Sequence, residues 1–208
     1  MKTWSHEIGV VMPTHPARNA KFMTQRAVQS AIDQQYPASG IFVYNDVDHR
    51  GAPYARQRAL EANTCEWTAF LDSDDYFLPH HLRMLVNAQV ESGADYVYSW
   101  YILERLGVRL GGVDPVFPPG HRWDPWNPDD PRQTTITTLV RTELAKSIGF
   151  WAPSDEEEFE DGHRKGEDYH FTLECNRLGK IFHIPDQTWV WTHHGANTSG
   201  RGNQGDAG

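Results

Sequence analysis

Three things are scarce in this chain, and each scarcity closes off a class of protein. No stretch approaches the ~20 consecutive apolar residues of a membrane-spanning helix. The N-terminus, Met1-Lys2-Thr3-Trp4-Ser5-His6-Glu7, lacks the apolar core of a secretion signal. Cysteine is limited to Cys65 and Cys175, which leaves neither a disulfide framework nor a cysteine zinc site and points to a cytoplasmic setting. Basic charge is also short: 19 Lys and Arg stand against 28 Asp and Glu, a net −9 with histidine neutral. That balance argues against a broad nucleic-acid-binding surface. A small phosphorylated ligand remains possible, provided a metal or a few local arginines supply positive charge.

What is present suits one globular core: 208 residues, 38% hydrophobic and 23% charged. The first half alternates strand and helix signals. Ile8 to Met12 is an apolar strand ended by Pro13-Thr14-His15-Pro16, and a helix is expected from about Asn19 to Gln35. Ile41 to Tyr44 gives a second strand, and a second helix starts at Pro53 with Ala55, Ala59 and Ala62 on one small face. Trp67 to Leu71 gives a third strand. Pro79 opens a helix with Leu82, Leu85, Val86 and Gln89 on one stripe, and Asp95 to Leu103 a fourth strand. This is the pattern of an α/β fold with a mostly parallel central sheet flanked by helices. The second half loses the rhythm. Gly111 to Pro131 is a long Gly-, Pro- and Trp-rich loop, of the kind that is usually functional or mobile. A short strand over Thr134 to Val140 and a short helix over Thr142 to Ser147 follow, then an acidic surface run over Asp155 to Asp161. A helix from Glu167 to Leu178, closed by Gly179, precedes two strands, Ile181 to Ile184 and Thr188 to Thr192. From Gly195 onward the composition predicts a flexible tail.

The chain is organised around Phe70-Leu71-Asp72-Ser73-Asp74-Asp75. Carboxylates just past a parallel strand sit where open α/β sheets bind ligands. Alternation along an extended chain lets Asp72 and Asp74 point the same way, as a divalent cation would require. An Asp-rich turn in solvent would produce the same letters, and this stretch alone does not choose between them. On the helix at Gly166-Glu167-Asp168-Tyr169, Asp168 shares a face with Phe171, Cys175 and Leu178, so it points inward and could act as a general base. Acidic residues are common at helix N-termini for electrostatic reasons, and taken alone that is the better account. Of His193 and His194, at most one can face a metal, since neighbours on an extended chain point oppositely. Arg18, Arg56, Arg58 and Arg201 could hold a pyrophosphate or a base edge, although surface arginine is the default.

Taken together and in this order, these pieces resemble glycosyltransferase family 2, which has the GT-A fold, a single Rossmann-like domain with a smaller acceptor-side second half. Val11-Met12-Pro13-Thr14 resembles the family's opening strand, and Ser30 to Pro37 the end of its first helix. Gly51 with Ala55-Arg56-Gln57 resembles Gly…Ala-Arg-Asn, with Gln57 where asparagine is commoner. Leu71-Asp72-Ser73-Asp74-Asp75 is similar to the Asp-Xaa-Asp motif, and Thr138 to Phe150 to the segment before the acceptor site. Gly166-Glu167-Asp168-Tyr169 resembles the Glu-Asp motif, and His194-Gly195-Ala196-Asn197-Thr198-Ser199 the closing His-Xaa-Xaa-Asn-Xaa-Ser.

The resemblance implies one domain over residues 1–208. Residues 1–104 would form the nucleotide-sugar half, 105–194 the acceptor and catalytic half, and 195–208 the tail. It implies a metal-dependent transfer of sugar from a nucleoside-diphosphate sugar, by family habit a UDP-sugar, to an acceptor hydroxyl, with inversion. Mn²⁺ or Mg²⁺ would be held by Asp74 and His194, with Asp72 at the ribose or reaching the metal through water. Thr14, Asp46 and Arg56 would serve the base, and Arg18 and Arg201 the donor, Arg201 as the tail folds over the diphosphate. Asp168 would be the general base and Glu167 a positioning carboxylate. Gly111 to Pro131 matches no family pattern, so the acceptor could be a glycan, a protein or a small molecule. Two other classes fit the same carboxylates and histidine: a sugar-nucleotide hydrolase or nucleotidyltransferase, and a non-catalytic nucleotide-sugar binding module.

Overall fold

A computed structural model describes residues 5–105, 107–110, 137–150 and 167–194. The Gly111–Pro131 segment, the beginning of the Thr134–Val140 strand, the acidic run at Asp155–Asp161 and the tail from Gly195, Arg201 included, lie outside the described residues.

Strand β1 (Ile8–Thr14) is buried at every position, as its apolar and β-branched sequence requires. The helix expected after it is two helices, α1 (Pro16–Ala20) and α2 (Met23–Ile32), broken where Phe22 takes a left-handed conformation with φ 56°. The helical stretch ends before Gln35 because Gln34 and Gln35 bond elsewhere. The Gln34 amide donates to Leu78 O and accepts from the Leu82 N–H, and the Gln35 N–H donates to Pro79 O.

Next come β2 (Gly40–Asn45), α3 (Ala52–Ala62), β3 (Trp67–Phe70), the two-residue β4 (Tyr76–Phe77) and α4 (His81–Ser92). Ala55 and Ala59 pack inward as expected, but Ala62, the last residue of α3, is exposed. Leu82, Leu85, Val86 and Gln89 form the buried stripe of α4, and Gly93 closes that helix at φ 66°. Strand β5 (Tyr96–Arg105) turns through Gly107 into β6 (Val108–Leu110). Then follow β7 (Thr138–Arg141), α5 (Thr142–Ile148), α6 (Glu167–Leu178) and β8 (Ile181–His193). The two strands expected at the end are this one long strand. Its register against β5 jumps around Pro185 and Asp186, where a proline, having no N–H to give, is accommodated by an irregularity in the ladder.

The sheet runs β2-β1-β3-β7-β5-β8-β4, with β6 paired to β5. Parallel pairing of β2, β1 and β3, and of β5 with β8, makes up most of its length, and β7 lies antiparallel between β3 and β5. Side-chain alternation divides the core between two faces. Ile8, Val10, Met12, Trp67 and Ala69 pack with Ala27 and Ala31 of α2 and with Leu82 and Leu85 of α4. Val11, Phe70, Tyr96 and Val140 pack with Ala59 of α3, Ala145 of α5, and Phe171 and Cys175 of α6. Because β7 reverses direction twice over, β5 and β8 run parallel to β3. The C-terminal ends of β1, β2, β3 and β8 therefore open on one edge, which brings Thr14, Asp46, Asp72–Asp75 and His194 to the same side of the molecule. No helix among the described residues is long and apolar enough to cross a membrane.

Candidate active site

The turn after β3 is closed by the Asp75 N–H donating to Asp72 O at 3.0 Å. One carboxylate oxygen from each of Asp72, Asp74 and Asp75 lies within 4.8 Å of the others. Such a set of hard oxygen donors suits Mg²⁺ or Mn²⁺. His194, immediately past β8, adds its Nε2 at 2.9 Å from Asp74 Oδ2. The two residues are 120 positions apart in sequence and meet because β8 ends beside the aspartate turn. Asp75 has a structural tie as well as a place in the cluster: its Oδ1 accepts the Thr192 N–H at 2.8 Å, fastening the turn to the end of β8. Burial, and then the charges of Asp74 and Asp72, hold its carboxyl well above the usual range.

Three arginines surround the carboxylates, each in a different way. Nη1 of Arg18, on α1, meets both Asp74 Oδ2 and His194 Nε2. Arg26, on α2, donates from Nη2 to Asp74 O at 3.0 Å and to Thr192 Oγ1 at 2.9 Å, and from Nη1 to Glu104 Oε1 at 3.2 Å. Its guanidinium lies 4.4 Å from the Tyr76 ring centroid, and the Tyr76 hydroxyl donates to Glu104 Oε2. Arg26 thus clamps the backbone of the aspartate turn to β8. Sequence reasoning missed it, since an arginine on an amphipathic helix carries no local mark of its partners. Arg56, on α3, is 3% exposed and joins two carboxylates, Asp72 Oδ1 at 2.8 Å and Glu167 Oε1 at 2.6 Å. Burial works to lower its pKa, but Asp72 and Glu167 outweigh that effect and raise it, so it is cationic. Arg58 instead pairs with Glu61 on the helix surface.

Through Arg56 the first turn of α6 is drawn to the aspartate turn. Asp168 stands there next to Glu167, half-buried, and its carbonyl accepts the Thr172 hydroxyl at 2.8 Å. Phe171 and Cys175 of the expected inward stripe are buried, while Leu178, one turn further on, is half exposed. At the other end of the edge, the Asp46 N–H donates to Thr14 O at 2.8 Å. Asp46 Oδ2 accepts the Gly51 N–H at 2.8 Å, and its buried Oδ1 has no hydrogen-bond partner among the described residues. The Thr14 hydroxyl is shared with Thr24 and Asn19. Arg18, Asp74 and His194 therefore form one group, Arg56, Asp72 and Glu167 a second, and Thr14 with Asp46 a third.

An acidic, arginine-braced cluster at the C-terminal ends of parallel strands lies where open α/β sheets bind their ligands. The chain belongs to glycosyl transferase family 2, whose sequence profile matches residues 24–152. The match contains the aspartate turn and Arg56 but stops short of Glu167, Asp168 and His194. Among solved structures, the chain is similar to TarS 1–349 of S. aureus, with a TM-score of 0.65 at 19% identity over 89% of this chain and 60% of that one. The same TarS fragment has been solved with UDP-GlcNAc (TM-score 0.67, 19% identity, 90% of this chain, 58% of that one). It has also been solved with UDP (TM-score 0.66, 19% identity, 90% and 60%). The chain thus spans about three fifths of the length of these TarS chains. No curated protein sequence matches it.

Proposed function

We propose that the protein transfers a sugar from a nucleoside-diphosphate sugar, a UDP-sugar, to an acceptor hydroxyl. The observation that carries this reading is the meeting of Asp74 and His194 at the sheet edge, where β8 brings a nitrogen donor to a cluster of carboxylates. Asp74, His194 and Asp72 would hold Mn²⁺ or Mg²⁺. Bound there, the cation would offset the negative charge that builds on the departing diphosphate.

The chain's own groups account for the rest. Asp46 Oδ1, buried and without a partner among the described residues, is an acceptor suited to the N–H of a pyrimidine base. Thr14 lies next to it, and Arg56 holds Asp72, which would serve the ribose or help to hold the cation. Asp168 takes the proton of the acceptor hydroxyl as that oxygen forms its bond to the anomeric carbon. The bond from that carbon to the diphosphate oxygen breaks with its electron pair on the diphosphate, a single displacement that inverts configuration. Glu167, held by Arg56, positions sugar or acceptor. UDP is favoured because the TarS structures contain UDP-GlcNAc and UDP. Arg201 reaching the diphosphate and a cytoplasmic setting complete the proposal.

The test is a panel of nucleotide sugars incubated with protein, Mn²⁺ and candidate acceptors. Release of nucleoside diphosphate that depends on acceptor is the expected result. Release of monophosphate or pyrophosphate, or release indifferent to acceptor, would place the chain among the hydrolases or nucleotidyltransferases instead. A parallel thermal-shift screen with and without Mn²⁺ identifies the nucleotide through binding linkage.

A further inference from the structure

We propose that Arg18 is a built-in counter-cation to Asp74 and His194 that yields these two side chains to the divalent ion when the ion binds and moves to the donor's diphosphate. The proposal rests on the reading that Asp74 and His194 hold that ion.

The same Nη1 of Arg18 meets Asp74 Oδ2 and His194 Nε2. These are the two side-chain atoms that would hold the metal, so guanidinium and metal would compete for them. Two cations at that distance also repel each other with little solvent to screen them, since the side chains of Arg18 and Asp74 are only 16% and 11% exposed. Arg18 is placed to leave. It rides on α1, a five-residue helix with no buried residue, between the end of β1 and the left-handed Phe22. Its other contacts are weak: Nε with His15 Nε2 at 3.3 Å, and Nη1 with the Met23 sulfur at 3.9 Å. Neither of the other two arginines could make this exchange. Arg56 is buried between two carboxylates, and Arg26 holds the main-chain carbonyl of Asp74 rather than its carboxylate.

Two consequences follow. In the nucleotide-free protein Arg18 weakens metal binding. A diphosphate offers the displaced guanidinium a new anionic partner, so metal and nucleotide bind with positive coupling through this one side chain.

Mn²⁺ binding is measured by calorimetric titration, with and without UDP, for wild type, Arg18→Met and Arg18→Lys. Melting curves confirm that each variant is folded. Without UDP, Arg18→Met is expected to bind Mn²⁺ on the order of tenfold tighter than wild type, the equivalent of about 1.4 kcal/mol. Arg18→Lys, which keeps the charge, should stay nearer wild type. UDP should tighten Mn²⁺ binding more in wild type than in Arg18→Met. If Arg18→Met binds Mn²⁺ no tighter than wild type without UDP, while both bind it with UDP, the exchange is refuted and the metal site stands. If neither protein takes up Mn²⁺ even with UDP, the metal reading has failed and the exchange falls with it.

Discussion

At the scale of single residues, the site divides into groups expected to act on the reaction and groups that hold others in place. Asp168 and Asp74 belong to the first kind and should separate cleanly. Asp168→Asn is expected to lower transfer at least a hundredfold, within the range that a positioned general base contributes, about 10²–10⁴. Its Mn²⁺-dependent stabilisation by UDP should be unchanged. Asp74→Ala should lose that stabilisation itself, and a thermal shift that survives in Asp74→Ala would remove it from the metal set. Arg56 is of the second kind. Arg56→Met leaves Asp72 and Glu167 facing each other without the cation between them. Breaking a fully buried pair costs about 3–5 kcal/mol, and the 33% exposure of the Asp72 side chain should bring the loss to the lower end of that range or below. Urea unfolding of the variant measures it. The sequence marked both aspartates through their motifs. It marked Arg56 through the Ala-Arg-Gln segment, but as a residue near the base rather than as the link between Asp72 and Glu167, because that role depends on which carboxylates surround it.

At the scale of elements, the helices were legible where local signals agreed, as in α4 with its apolar stripe and closing glycine. The split between α1 and α2 was not, because the Phe22 break comes from a backbone conformation that no residue type in that stretch requires. The packing of α3 on the sheet depends on a close approach that a sequence reader passes over. Gly9, the second residue of β1, has no room for a Cβ, which would overlap the Asn63 amide just past α3 and the Phe42 ring of β2. Asn63 cannot easily yield, since its Oδ1 accepts the Cys65 N–H at 2.9 Å and its Nδ2 donates to Thr68 Oγ1 at 2.8 Å. Gly9→Ala is therefore expected to destabilise the fold by about 1–3 kcal/mol, the usual cost of overpacking a filled core. Equilibrium unfolding in urea is the check, and a neutral result would mean that α3 slides on β1 more freely than this packing allows.

At the scale of the whole molecule, one buried histidine, His81, and one half-buried histidine, His183, tie stability to pH. Burial, with a smaller contribution from His80, pushes His81 down to about 3, and burial alone pushes His183 down to about 4. Both groups sit near 6.5 in the unfolded chain. Between those values the unfolded state binds protons that the folded state refuses. The stability they secure is thus complete above pH 6.5 and is lost as pH falls toward 4 and then 3. His81 alone should contribute a slope of about 1.4 kcal/mol per pH unit across that window. Urea midpoints measured between pH 7 and pH 5 should fall with acidity. His81→Asn, which keeps a polar atom near Thr188 Oγ1, should flatten the trend. An unchanged slope in that variant would assign the acid sensitivity to other groups.

By itself the sequence determined the local pieces. Apolar β-branched runs became buried strands, polar turns fell at their ends, and the site's aspartates, Glu167, His194, Arg18 and Arg56 were in view before any fold was known, while Arg26 was not. Family order then said which of them belonged together. Tertiary structure decided the rest: that β7 inserts antiparallel between β3 and β5, that the last two expected strands are one, and that β8 therefore delivers His194 to Asp74 across 120 positions. It also decided that Asp75 fastens the turn to β8, and that Arg18, Arg26 and Arg56 divide three separate tasks among them. The physical reason is the same in each case. Strand and helix tendencies are properties of neighbouring residues, whereas strand order and the partner of a long charged side chain are settled only by which surfaces the whole chain buries together.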